Sequence, residues 1–239
     1  MESGGLPASL LLCFQEKEDS MADNQPDKNR EALRPYIADM AAVEKHILEA
    51  LERQHKDDSI RQFPSAHQLI DRLQGTLRQH ISTLEGHLET FPGGTTAQTV
   101  KEAVTGVLGA IAGVYDKVRK DMASRALRDD YTALSLATIS YTMLHTTALG
   151  LRQGATAELA LRHLKDLTPV LVELSQILPQ IVLRELSFEG YDIEMGLAQN
   201  AVRNTQEAWT SEHTQAGGSR SAGTPVGAVT GSAGSYTQG

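Results

Sequence analysis

The chain of 239 residues has a single cysteine, Cys13, so no disulfide framework can hold its fold together, which fits a reducing, cytoplasmic setting. Aromatic residues are scarce at 5%, with one tryptophan. Basic residues are in the minority: 22 Lys and Arg against 30 Asp and Glu leave a net charge of -8 and a pI near 5.5. That balance argues against a nucleic-acid partner, because neutralising phosphates needs clustered Lys and Arg. No uninterrupted apolar run approaches the roughly 20 residues of a membrane span, so no membrane partner is expected. There is no Gly-x-Gly-x-x-Gly fingerprint, no phosphate loop and no Gly-x-Ser-x-Gly elbow. Cys13 lies outside the periodic part of the chain, which argues against a cysteine nucleophile. The short apolar stretch Leu10–Phe14 has no preceding Lys or Arg and so does not read as a secretory signal. Met21-Ala22-Asp23 reads as an alternative start.

What the chain does have is helical periodicity. Low aromatic content with a long 3.6-residue repeat predicts an all-α fold, a bundle of about five helices with disordered termini. Residues 1–29 are polar and acidic and are expected to be disordered. The first helix, about 29–57, carries Leu33, Ile37, Met40, Glu44, Ile47 and Leu51, with Pro35 in its first turns. A second, about 66–90, is capped by Ser65 and carries Ile70, Leu73, Leu77, His80, Leu84 and His87. A third, about 97–124, carries valines interleaved with glycines, a face suited to close packing against a second copy. A fourth, about 125–153, carries Leu127, Tyr131, Leu134, Thr138, Tyr141, His145 and Ala148, and Gly154 ends it. A fifth, about 157–186, carries Leu164, Leu167, Leu171, Leu174, Leu178 and Ile181, with Pro169 and Pro179 expected to kink or split it. The bundle thus occupies 30–187, followed by a weaker helix in 188–215 and a Gly/Ser-rich tail in 216–239.

The chemistry lies in the exceptions to the apolar seams. Glu44 stands where a leucine belongs, and burying an unpartnered carboxylate costs several kcal/mol, about 3–5. It therefore has a partner, reaches water or ligates a metal. His80, His87, Thr138, Tyr141 and His145 are the other non-aliphatic seam residues. Carboxylates and imidazoles on facing helices are how bundles hold iron or manganese. A dinuclear centre takes about four carboxylates and two histidines, and only Glu44 is a seam carboxylate here. The one Glu-x-x-His, Glu52 to His55, sits at the frayed end of the first helix, and Asp166 and Glu173 flank the leucine seam of the fifth. Two readings remain open: a hydrogen-bonded structural Glu44, or a single-metal site at Glu44, His80 and His145. The structural reading predicts that Glu44→Leu is neutral or stabilising.

The element Val43-Glu44-Lys45-His46 on the first helix, His80-Ile81-Ser82-Thr83-Leu84-Glu85 on the second, and Gln153-Gly154 between the last two resemble the YciE/YciF group of bacterial ferritin-like proteins over about residues 30–187. That resemblance implies an up-down ferritin-like bundle with one long crossover, metal-ligating acids on all four long helices, and a stress-associated role. The sequence matches the first acid at Glu44 only. It has Thr76 or Leu77 where the second helix should supply Glu, and Thr138, Ser140 and Tyr141 on the fourth. The expectation is a non-catalytic, homodimeric ferritin-like protein with a structural or binding role and no enzyme activity. The alternatives are a ferroxidase or peroxide-handling enzyme using Glu44 and His80, and a helical adaptor unrelated to ferritins.

Overall fold

The computed structural model describes residues 25–91 and 122–217. Six helices are found among them: α1 (Gln25–Gln54), α2 (Asp58–Arg61), α3 (Pro64–Glu89), α4 (Ala123–Gly150), α5 (Gly154–Phe188) and α6 (Leu197–Gly217). The all-α expectation holds. The expected third helix, like residues 1–24 and 218–239, lies outside the described residues, except that Ala123 and Ser124 open α4.

Four long helices form the bundle. Leu33, Ile37, Met40, Ile47 and Leu51 of α1 are buried as their spacing requires, against Leu73, Leu77 and Leu84 of α3 and Leu127, Leu134 and Leu144 of α4. Leu167, Leu174 and Ile181 of α5 close the core. Hydrogen bonds fix the directions. Between α1 and α4 they join Gln54 to Asp130, Glu44 to Tyr141 and Asn29 to Leu151, so one number rises as the other falls. The same holds for α1 with α3, where Gln74 meets Leu51 and Lys45 meets Glu85. It holds for α3 with α5 through Arg72–Glu173 and His87–Thr156, and for α4 with α5 through Ser124–Glu185 and His145–Ala157. Every neighbouring pair is antiparallel. Hence α1 and α5 run one way, α3 and α4 the other, and α3 ends at the opposite end of the bundle from where α4 begins.

Several boundaries differ from the sequence reading. Helix α1 starts at Gln25, inside the segment expected to be disordered, so Pro35 lies mid-helix with its ring exposed. The cap of α3 is Phe63 with Pro64 in the first turn, and Ser65 sits inside the helix rather than capping it. Asp57 is a true cap: its carboxylate accepts the Ser59 N–H at 2.8 Å at the start of α2. Gly154 opens α5 instead of ending α4. The chain reverses through Arg152, at φ 58°, the one non-glycine residue in the left-handed region among those described. Helix α5 is continuous over 35 residues despite Pro169 and Pro179. Pro169 is on the exposed side, where a carbonyl that loses its helical partner is within reach of solvent. By length and composition α5 is also apolar enough to cross a membrane, with a mean hydropathy of 1.2 in a window that is only 17% buried. The sequence reading, which looked for an unbroken apolar run, passed over it.

Candidate functional site

Midway along the bundle each long helix contributes one polar side chain to a single buried chain of hydrogen bonds. Glu44 comes from the seam of α1 and is wholly buried. Tyr141 of α4, also wholly buried, donates its hydroxyl to Glu44 Oε1 at 2.7 Å. On α3, His80 approaches the same oxygen with Nδ1 at 3.1 Å. From α5, His163 sets its Nδ1 2.8 Å from the Tyr141 oxygen and stacks its ring on His80, with centroids 3.7 Å apart and planes within 3°. Asp166, one turn on from His163, meets His80 Nε2 at 3.1 Å and leads to solvent, its side chain 49% exposed.

The partners assign the protons. Both nitrogens of His80 face carboxylate oxygens, which only accept, so an imidazolium alone satisfies both contacts. Burial pulls the His80 pKa down, but the hydrogen bonds and charges of Glu44 and then Asp166 outweigh it and leave it above the ordinary value. The Tyr141 hydroxyl has one proton and gives it to Glu44; its oxygen therefore accepts from His163 Nδ1–H. His163 is neutral: burial first, then the charges of His80 and Arg162, hold its pKa at about 3. Burial raises Glu44 above the usual carboxylate range, opposed by His80 and by the Tyr141 hydroxyl. Burial, then the neighbouring Glu44 charge, pushes the Tyr141 phenol well above its normal value, so it stays protonated. The order along the chain is thus His163 to Tyr141 to Glu44, with His80 clamped between Glu44 and Asp166.

Glu44, His80 and His163 each offer a ligand atom, and these atoms lie within 4.8 Å of one another, close enough to hold a metal ion. Two histidines and a carboxylate are a donor set suited to iron or manganese. Glu44 Oε2 is buried and accepts no hydrogen bond, so a ligand position is free. The ring geometry is the obstacle. A ring nitrogen binds a metal along its in-plane lone pair, and the two ring planes lie parallel, one above the other. Their lone pairs do not converge. A shared ion requires one ring to turn and His80 to give up a proton it shares with a carboxylate.

Of the metal ligands expected from sequence, Glu44 and His80 come together and His145 does not. His145 Nδ1 lies 2.8 Å from the Ala157 carbonyl, where it ties α4 to α5. His163 takes the place expected for His145. His87 pairs with Thr156, Thr138 bonds its own helix at Ser135, and Glu52 and His55 face Arg78 and Asp71 away from the centre. A groove of about 420 Å³ between α5 and α6, lined by Gln180, Arg184, Phe188 and Met195, begins 17 residues along α5 from His163, about 25 Å away. It does not open onto the buried chain. Compared with protein-family models, with curated proteins and with solved structures, the sequence matches none.

Proposed function

We propose that this is a non-catalytic bundle of ferritin-like topology, in which a hydrogen-bonded Glu–His–Tyr chain stands where a dinuclear metal centre would stand. The helix directions support the topology, since joining α3 to α4 takes a connection that runs the length of the bundle, as the resemblance to the YciE/YciF group implies. The observation that carries the non-catalytic reading is the set of partners around Glu44. They are Tyr141 and His80, with no second carboxylate in contact, and Asp166 reaches the cluster only through His80. A carboxylate clamped by an imidazolium and a phenol positions helices; it does not cycle a metal pair. The role is then structural or binding, with stress association following from the same resemblance.

A second reading, a single divalent ion on Glu44, His80 and His163, is favoured by the proximity of their ligand atoms and by the free Glu44 oxygen. Metal analysis of purified protein separates the two, together with thermal melts in excess Fe(II), Mn(II) and Zn(II). The proposal expects no stoichiometric metal and an unchanged midpoint, since an ion binding only the native state must raise it. Two ions per chain would overturn it. One ion per chain, lost in His163→Ala, would establish the second reading instead.

A further inference from the structure

Most of α4 and the C-terminal half of α5 carry almost no charge on their outer side, bordered by exposed Arg125 and Arg128 at the start of α4 and by Glu158, Arg162 and Lys165 on the first half of α5. From Tyr131 to Leu151 the chain has no Asp, Glu, Lys or Arg. From Leu167 to Leu183 the sole charged residue is Glu173, and it turns toward α3 to pair with Arg72. An ordinary soluble surface is about a quarter to a third charged. In place of charge stand Ile139, Met143 and Leu149 on α4, each more than half exposed, and Val172 and Val182 on α5. The hydroxyls between them are already spent. Thr132, Ser135, Thr142, Thr146 and Thr147 each donate to a carbonyl of α4 itself, and on α5 Thr168 and Ser175 do the same. Their methyl and methylene groups are what they present to solvent, and covering them strands none of these hydroxyls.

We propose that this face is the self-association surface of the protein, and that its occupant is the same face of a second copy in a two-fold homodimer. Size supports this. From Tyr131 to its end α4 runs about 30 Å; two helices side by side give a strip about 20 Å wide, hence about 600 Å² per chain. That is the lower end of what each partner contributes to a standard stable interface. Charge supports it too. Two chains of net charge -8 repel, and they approach at least cost where neither carries a charge. An anionic lipid surface would repel the same chain, and Tyr131 to Leu151 offers it no Lys or Arg. A two-fold axis also needs a patch that matches itself, which an uncharged strip of Thr, Ala, Ile, Met and Val does.

Sedimentation equilibrium of the full chain from about 1 to 100 μM tests this. The expected mass is twice the 25.9 kDa of one chain. The double change Ile139→Glu with Met143→Glu should leave helical content and melting unchanged when the chains are monomeric, because both side chains are exposed. It should weaken association roughly a hundredfold or more, since each new charge meets its own copy across the axis. Met143→Lys, read the same way, is the second variant, and Tyr36→Glu on α1 should leave the dimer intact. A wild-type monomer throughout the range would overturn the proposal. So would a dimer indifferent to changes at Ile139 and Met143, or a monomer that floats with phosphatidylcholine vesicles. Metal content does not enter, so this outcome is independent of the function proposed for the buried chain.

Discussion

Replacing His163 with Gln should make the stability of the bundle less sensitive to mild acid. In the unfolded chain the imidazole takes a proton near pH 6.5; in the bundle it stays neutral until about pH 3. Between those values the unfolded state binds one proton more than the native state, so acid favours unfolding. The stabilising contribution is complete above pH 6.5 and is lost as the pH falls toward about 3, at about 1.4 kcal/mol per unit. Glutamine does not titrate, and its amide N–H can still donate to the Tyr141 oxygen. From pH 7 to pH 5 the wild type should therefore lose about 2 kcal/mol relative to the variant, beyond what other groups remove from both. Stopping at pH 5 keeps most carboxylates out of the difference. Urea unfolding followed by circular dichroism at pH 7, 6 and 5, with a chelator present and the denaturant slope checked for constancy, measures it. A difference flat to within about 0.5 kcal/mol would refute the reasoning, for it would mean that His163 titrates as it does in water and that the buried chain ending in Tyr141 is not closed.

Glu44→Leu should cost roughly 3–5 kcal/mol in the same assay, because it strands the Tyr141 hydroxyl and His80 Nδ1–H in the core; this reverses the sequence expectation of a neutral or stabilising change. Asp166→Asn should cost less than about 1 kcal/mol, since Asp166 is half exposed, yet it should lower the His80 pKa in an NMR titration. In the wild type the His80 contribution is full below pH 6.5 and fades as the pH rises through its elevated folded value. Glu185→Ala should cost about 1–2 kcal/mol by thermal melt, because Glu185 Oε1 accepts the Ser124 N–H and caps α4 from α5, where Met122 offers no side-chain cap. Arg152→Gly should raise stability by about 0.5–1 kcal/mol by relieving a left-handed backbone that glycine adopts freely.

How much of this was legible in the sequence differs residue by residue. Glu44 was, because α1 keeps strict heptad-like spacing and a carboxylate breaks it visibly. His80 was legible for the same reason on α3. His163 was hidden by abundance: α5 is leucine-rich around much of its circumference, and the expected seam took in Leu164, Leu171 and Leu178 beside the buried Leu167, Leu174 and Ile181. The buried register instead runs Ala160, His163, Leu167, Leu174, Ile181, and Leu164, Leu171 and Leu178 each sit one turn on from a buried residue, at the edge of the core. The signal was available, since His163 falls three after Ala160 and four before Leu167, but a leucine beside it drew the phase. The apolar residues that this core leaves exposed are the clue to the rest of the molecule. A helix with more apolar positions than its core can use is a helix with a second surface to cover, and here the surplus is Ile139, Met143 and Leu149 on α4 with Val172 and Val182 on α5. The buried hydrogen-bond chain draws Tyr141 and His163 inward, toward α1 and α3, while Ile139, Met143 and Leu149 stand exposed on the outer side of α4. The inversion makes sense if the bundle is half of a larger core, with the Glu–His–Tyr chain fixing how the four helices seat and the outer face fixing how two bundles meet.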